Sequence, residues 1–169
     1  VSDLVTGGQD TVGIRIPGHP VALDLLRAFA QRNPSGGGLA APSANKFGRI
    51  SPTSAAHVAS ELGDAVPLIL DGGDCLVGIE STIVDLSRGN PVVLRPGVIT
   101  AEQIALVLGQ EVVAQEGAVR KAPDTTPRVS GSLASHYAPL TPLTVLPLDT
   151  IIQKLPLDHV AAIVRGTPD

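Results

Sequence analysis

Ser43, Asn45 and Ser51 sit in one polar run, PSANKFGRISPT (residues 42–53), and offer hydroxyl and amide hydrogen bonds without carrying charge. Arginines elsewhere supply the missing charge. Arg15 stands in TVGIRIP (residues 11–17), and Arg95 ends a short apolar run in PVVLRPG (residues 91–97). A guanidinium at either place is a planar fork for a carboxylate or phosphate. Ser81, in GIESTIVDL (residues 78–86), has no histidine placed to activate it, so a serine nucleophile is not indicated. The inventory suits anion recognition and positioning more than covalent catalysis. Each residue also has an ordinary reading: a polar loop for the serines and asparagine, a solvent-facing strand arginine for Arg15, and an exposed loop arginine for Arg95.

The elements around these residues are legible from pattern. Leu39 to Ala41 read as the end of a buried strand, closed by Pro42, which cannot donate to a ladder. Gly48 gives the following loop backbone freedom. Ser51 before Pro52 predicts an N-cap with proline at the first helical position. Ala55, Val58, Ala59 and Leu62 then recur at helical spacing, and Gly63 stops the run. A loop that leaves a strand and feeds a helix N-terminus is a natural place for phosphate or carboxylate.

Upstream, the alternation in residues 11–17 predicts a strand, and Pro20 opens a helix with Val21, Ala22, Leu25, Leu26 and Phe29 on its apolar face. His19 reads as a helix-start residue, since no second His or Cys stands at metal spacing. Downstream, residues 67–70 predict a buried strand and Asp71-Gly72-Gly73 a turn. Asp71 and Asp74 read better as turn formers than as metal ligands. Residues 78–86 and 91–97 predict strands. Thr100 caps a helix through Leu108, with Gly109 after it, and residues 111–114 suggest a last strand. Residues 115–140 shift to Pro, Ser, Thr and Gly, a linker composition. Residues 143–146, 149–155 and 159–165 read as strand, helix, strand, the start of another α/β unit.

The 169 residues are rich enough in apolar side chains for a core, but two Phe, one Tyr and no Trp leave Val, Leu, Ile and Ala to fill it. A net charge of −4 argues against a generic nucleic-acid surface. Cys75 is the single cysteine, which has no internal disulfide partner and suits a reducing, cytoplasmic setting. No apolar run is long enough to span a bilayer, so no membrane partner is expected.

The 42–53 segment resembles the PSAN-x-SG-x-x-SPT segment of the YrdC-like family, the threonylcarbamoyl-AMP synthases; Lys46-Phe47 replaces the Ser that usually follows the Asn. VGIRIPGHP, ESTIVD, LRPG and HYAP (residues 136–139) resemble further family motifs, in the family's order, and HYAP is similar to the interdomain linker of its longer, two-domain branch. The resemblance implies an α/β (α+β) fold, a twisted mixed sheet with flanking helices, and a site in a cleft at strand ends. It divides the chain into the later part of a catalytic domain (1–114), a linker (115–140) and the start of a small C-terminal α/β domain (141–169). The activity implied is condensation of L-threonine, bicarbonate and ATP to threonylcarbamoyl-AMP and pyrophosphate, a nucleotidyl transfer serving tRNA modification. Thr11, Ser43, Ser51, Arg95 and Tyr137 are then expected at ATP, and Arg15, Ser81 and the backbone at Ala41 at L-threonine. Asn45 joins the ATP group by its place in the loop. No residue is assigned a covalent catalytic role, and Mg²⁺ is expected on the triphosphate. Downstream partners implied are threonylcarbamoyl-transfer proteins and tRNA.

Lys46 is the first lysine, so the family's earlier Lys/Arg-rich motif is not found, and with no methionine at the start the expectation is of a fragment, inactive alone. Two alternatives remain: the carbamoyltransferase branch of YrdC-like domains that serves hydrogenase maturation, and a non-catalytic RNA-binding module.

Overall fold

The computed structural model describes residues 1–114, 127, 129 and 144–154. Two β-branched runs pair first: β1 (Ile83–Asp85) lies antiparallel to β2 (Val92–Arg95), and β3 (Val113–Ala114) lies parallel to β2 on its other side. The sheet is therefore mixed, as expected, in the order β1-β2-β3. The parallel pair needs a crossover. Helix α4 (Ala101–Leu108) occupies the chain between the two strands. Its start is a full capping box, in which Thr100 accepts from the Gln103 N–H while the Gln103 side chain accepts from the Thr100 N–H. Gly109 ends it in the left-handed conformation.

The small core sits on β2. Val93 and Val112 are buried and Pro91 is fully so; the Pro91 carbonyl accepts from the Val113 N–H. Asp85 is buried beside them and ties the turn after β1. Its Oδ1 accepts from the Ser87 N–H at 2.9 Å and the Ser87 hydroxyl at 2.7 Å, and its Oδ2 from Arg88 Nε at 2.6 Å. Burial alone pushes the Asp85 carboxyl up. The hydrogen bonds from Ser87, with the Arg88 bond and charge, outweigh it and hold the group below its ordinary value.

The first of the two units, Val1–Ala138, also holds α1 (Asp3–Thr6), α2 (Pro20–Arg32) and α3 (Ala55–Leu62), the last followed by a 3₁₀ turn at Gly63–Ala65. Helix α2 begins at Pro20 after His19, as predicted. In the second unit, Pro139–Asp169, α5 (Leu148–Lys154) is the described element and matches the helix expected there. Among the described residues, no helix is long and apolar enough to cross a membrane.

Several predicted strands do not form. Residues 11–17, 39–41, 67–70 and 144–146 carry no strand, and the 78–86 strand shrinks to β1. Alternation describes side chains, but a strand exists only where a neighbour completes its ladder, and among the described residues these segments have none. Ile14, Ile16 and Leu68 are accordingly exposed. The linker assignment (115–140), apart from residues 127 and 129, and the strand expected at 159–165 lie outside the described residues.

Asp85→Asn is expected to cost about 1–3 kcal/mol, the loss of hydrogen bonds to a charged, buried acceptor. Because the folded carboxyl titrates below its unfolded value of ~3.9, its contribution is present above about pH 5 and lost as pH falls through the folded value. Urea melts from pH 7 to pH 2.5 should show the variant's acid limb flatter than that of the wild type.

Candidate functional site

The candidate site is built where the end of β2 meets the residues just before β1. Gly97 makes this possible. A side chain there would run into the Thr82 N–H, and its Cβ would lie 2.6 Å from Thr82 Oγ1 and 2.7 Å from the Glu80 carbonyl. With hydrogen in place of Cβ, the loop leaving β2 lies directly on the backbone of residues 80–82. The Thr82 hydroxyl, donating to the Ile99 carbonyl at 2.7 Å, pins the same approach. The register irregularity between Ile83 and Val84 adds local twist beside Arg95, whose Cα pairs with Ile83.

Four side chains converge there. Arg95 Nε donates to the Ser81 carbonyl at 2.9 Å and Nη2 to Ser81 Oγ at 3.1 Å. Arg95 Nη1 stands 3.7 Å from Glu80 Oε2. Across the site, the Ser51 hydroxyl donates to Glu80 Oε1 at 2.5 Å. The Arg95 side chain is 12% exposed and that of Glu80 30%, so the pair is only partly shielded from water. Ser51, Ser81 and Arg95, widely separated in sequence, are thus gathered, and Glu80 joins them. Sequence reasoning assigned Glu80 no chemistry. A carboxylate directly before a candidate binding serine was the available signal.

Ser51 is not the helix cap. Helix α3 starts three residues later, where the Ser54 hydroxyl accepts from the His57 N–H. Residues 51–54 stay outside the helix because the Ser51 hydroxyl is taken by Glu80 and the Thr53 carbonyl accepts from the Cys75 N–H at 2.8 Å. Both partners are distant in sequence, which is why local capping rules chose the wrong serine.

The Asn45 loop is a separate small device. Gly48, at φ 77°, closes a turn in which the Arg49 N–H donates to the Lys46 carbonyl at 3.0 Å. Asn45 Nδ2 donates to the Lys46 and Arg49 carbonyls, each at 3.0 Å. Glu61 of α3 accepts from the Lys46 N–H at 3.2 Å and pairs with Arg49 at 3.7 Å. Among the described residues, the buried Asn45 Oδ1 has no hydrogen-bond partner, which leaves it an acceptor for an N–H or O–H donor.

Ser43 and Ala41 lie exposed on the extended segment before this loop, and Arg15 is exposed as well. Thr11 is half-buried and lines a cavity of about 320 Å³ with Asp3, Thr6, Gln9 and Asp10. No described hydrogen bond or ion pair links these four residues to the Glu80–Arg95 cluster. Tyr137 lies outside the described residues. Asp71 caps its own turn, accepting from the Gly73 N–H at 2.9 Å. Among the described residues, no three His, Cys, Asp or Glu side chains gather as a metal site.

The family model Sua5/YciO/YrdC, described as "Telomere recombination", matches residues 1–97, more than half of the chain. The chain belongs to this family.

Among its relatives, the threonylcarbamoyl-AMP synthase of Pyrococcus abyssi is 40% identical over 157 residues, covering 92% of this chain and 44% of the relative. The Bacillus subtilis enzyme of the same name is 43% identical over 145 residues, covering 86% of this chain and 39% of the relative. The crystal structure of P. abyssi Sua5 complexed with L-threonine superposes with a TM-score of 0.69 at 42% identity, covering 82% of this chain and 38% of that one. The chain therefore spans less than half the length of these relatives. The structural match establishes the Sua5/YrdC-like fold, in agreement with the fold expected from the motifs.

For this family member, the Gly97 approach is the most exposed point of failure. Gly97→Ala should destabilise by about 1–3 kcal/mol through overpacking against backbone. It should also separate Arg95 from Ser81. Thermal unfolding together with nucleotide titration checks both effects, and an unchanged variant would show that the loop has room to move.

Proposed function

We propose that the full-length protein carrying this chain is a threonylcarbamoyl-AMP synthase. It would condense L-threonine, bicarbonate and ATP to threonylcarbamoyl-AMP and pyrophosphate, as a nucleotidyltransferase in tRNA modification. The observation that carries the reading is the meeting of Arg95 and Ser81. The motif resemblance puts the first at the nucleotide and the second at threonine, and their side chains are 3.1 Å apart. A reaction that joins the two substrates needs these groups at one place. The names of the relatives, and the L-threonine in the P. abyssi structure, support the same reading.

In this reading the threonine nitrogen takes up CO₂, and a carbamate oxygen attacks the α-phosphorus as pyrophosphate leaves. Such a step calls for alignment and charge stabilisation, not a protein nucleophile. Ser51 and Arg95, with Thr11, Ser43, Asn45 and Tyr137, form the ATP side. Arg15, Ser81 and the Ala41 backbone form the threonine side. Magnesium would arrive on the triphosphate as part of the substrate. In the same reading residues 1–114 belong to the catalytic domain, 115–140 to a linker and 141–169 to a further domain. The product would pass to threonylcarbamoyl-transfer proteins acting on tRNA in the cytoplasm.

The test is pyrophosphate release by the full-length protein with ATP and bicarbonate, with and without L-threonine. Arg95→Ala should lower threonine-dependent release by roughly 10²-fold, as for loss of one preorganised charge-stabilising donor. Arg15→Ala should act mainly on the threonine KM. Release that depends on carbamoyl phosphate instead would move the protein to the carbamoyltransferase branch, and RNA binding without any turnover would sink the enzyme reading.

A further inference from the structure

We propose that Glu80 is a positioning residue that acts as a resident stand-in for the substrate anion. It would hold Arg95 and Ser51 in place while the site is empty and yield them when phosphate oxygens arrive. This rests on the proposed ATP site, and it deepens that reading.

A serine hydroxyl has one proton, and Ser51 spends it on Glu80 Oε1. A phosphate oxygen at neutral pH is an acceptor, so Ser51 cannot donate to it while that bond stands. The second carboxylate oxygen, Oε2, faces Arg95 Nη1 at 3.7 Å, within ion-pair range but too long for a hydrogen bond. Both groups assigned to nucleotide therefore face one carboxylate.

The carboxylate is itself held in position. Gly97 packs on the Glu80 carbonyl and on Thr82, and Arg95 donates twice to the next residue, Ser81. These contacts tie down its backbone, and the freer part is the side chain. A Glu side chain can swing where the backbone is fixed, and at 30% exposure water can receive it. The incoming polyanion brings more charge and more acceptor oxygens than Glu80 offers, so the exchange favours the ligand. Until then, Glu80 preorganises the fork and prevents Arg95 from taking other anions.

The test uses the full-length protein, with ATP and inorganic pyrophosphate titrated separately by calorimetry against wild type, Glu80→Gln and Glu80→Asp. Removing a competing unit charge near the phosphates should tighten both ligands by about 3- to 10-fold in Glu80→Gln. Its turnover should fall, because the empty-site geometry is no longer held. Glu80→Asp keeps the charge and should not show the tightening. Unchanged or weaker binding of both ligands in Glu80→Gln overturns the proposal. Tighter pyrophosphate binding with no ATP binding by any form keeps the stand-in role and overturns the nucleotide reading. If Glu80→Gln does not fold, a crystal structure of the wild type with a non-hydrolysable ATP analogue decides. Loss of the Ser51–Glu80 bond with Arg95 on phosphate supports the proposal, and retention of both Glu80 contacts beside bound nucleotide overturns it.

Discussion

The close approach of Gly97 to the backbone of residues 80–82 is the constraint on which the candidate site depends. Strands β1 and β2 are only three and four residues long, too short to dictate by pairing alone where their flanking residues lie. The absent side chain at Gly97 and the Thr82 hydroxyl bond to the Ile99 carbonyl hold the segment before β1 against the segment after β2. Glu80, Ser81 and Arg95 meet because these two segments meet. The chemistry is therefore set by a packing limit measured in tenths of an ångström.

What meets there has a consistent electrostatic character. One guanidinium, one carboxylate and two hydroxyls form a set with no base aligned on a nucleophile and no soft metal ligands. Such a set has the chemistry for recognising and aligning anions. Its partial exposure matters: a fully buried Arg–Glu pair would be hard to open, whereas this one is within reach of water.

Away from the site, the described core is small, with Pro91, Val93 and Val112 as its buried apolar residues. Local devices consequently carry much of the order: the Asp85 turn, the Thr100–Gln103 capping box, and the Asn45 turn tied to α3 by Glu61. Each is satisfied by neighbours close in sequence or by a single cross-link, and each needs little buried area. That economy suits a chain whose aromatics are nearly absent.

The limits of legibility follow from the same physics. The helices from Pro20 and after Thr100, the stop at Gly63, the Asp71 turn and the pair of strands around residues 83–95 could be read from the sequence, because caps, prolines, glycines and short apolar runs act over a few residues. Ser51, Ser81 and Arg95 were singled out through motif resemblance, and the structure brings their side chains together around Glu80. The strands expected at 11–17, 39–41 and 67–70 were not decidable, since a ladder needs a partner that no local pattern names. The true cap of α3 escaped for a related reason: Glu80 and Cys75, distant in sequence, claim the hydroxyl and the carbonyl that local rules would have spent on the helix. The sequence by itself determined the local turns, the starts of α2 and α4 and which side chains were available for anion chemistry. Only the tertiary structure decided which of them share a site and that a carboxylate sits among them, because those facts depend on how closely two backbones approach in space.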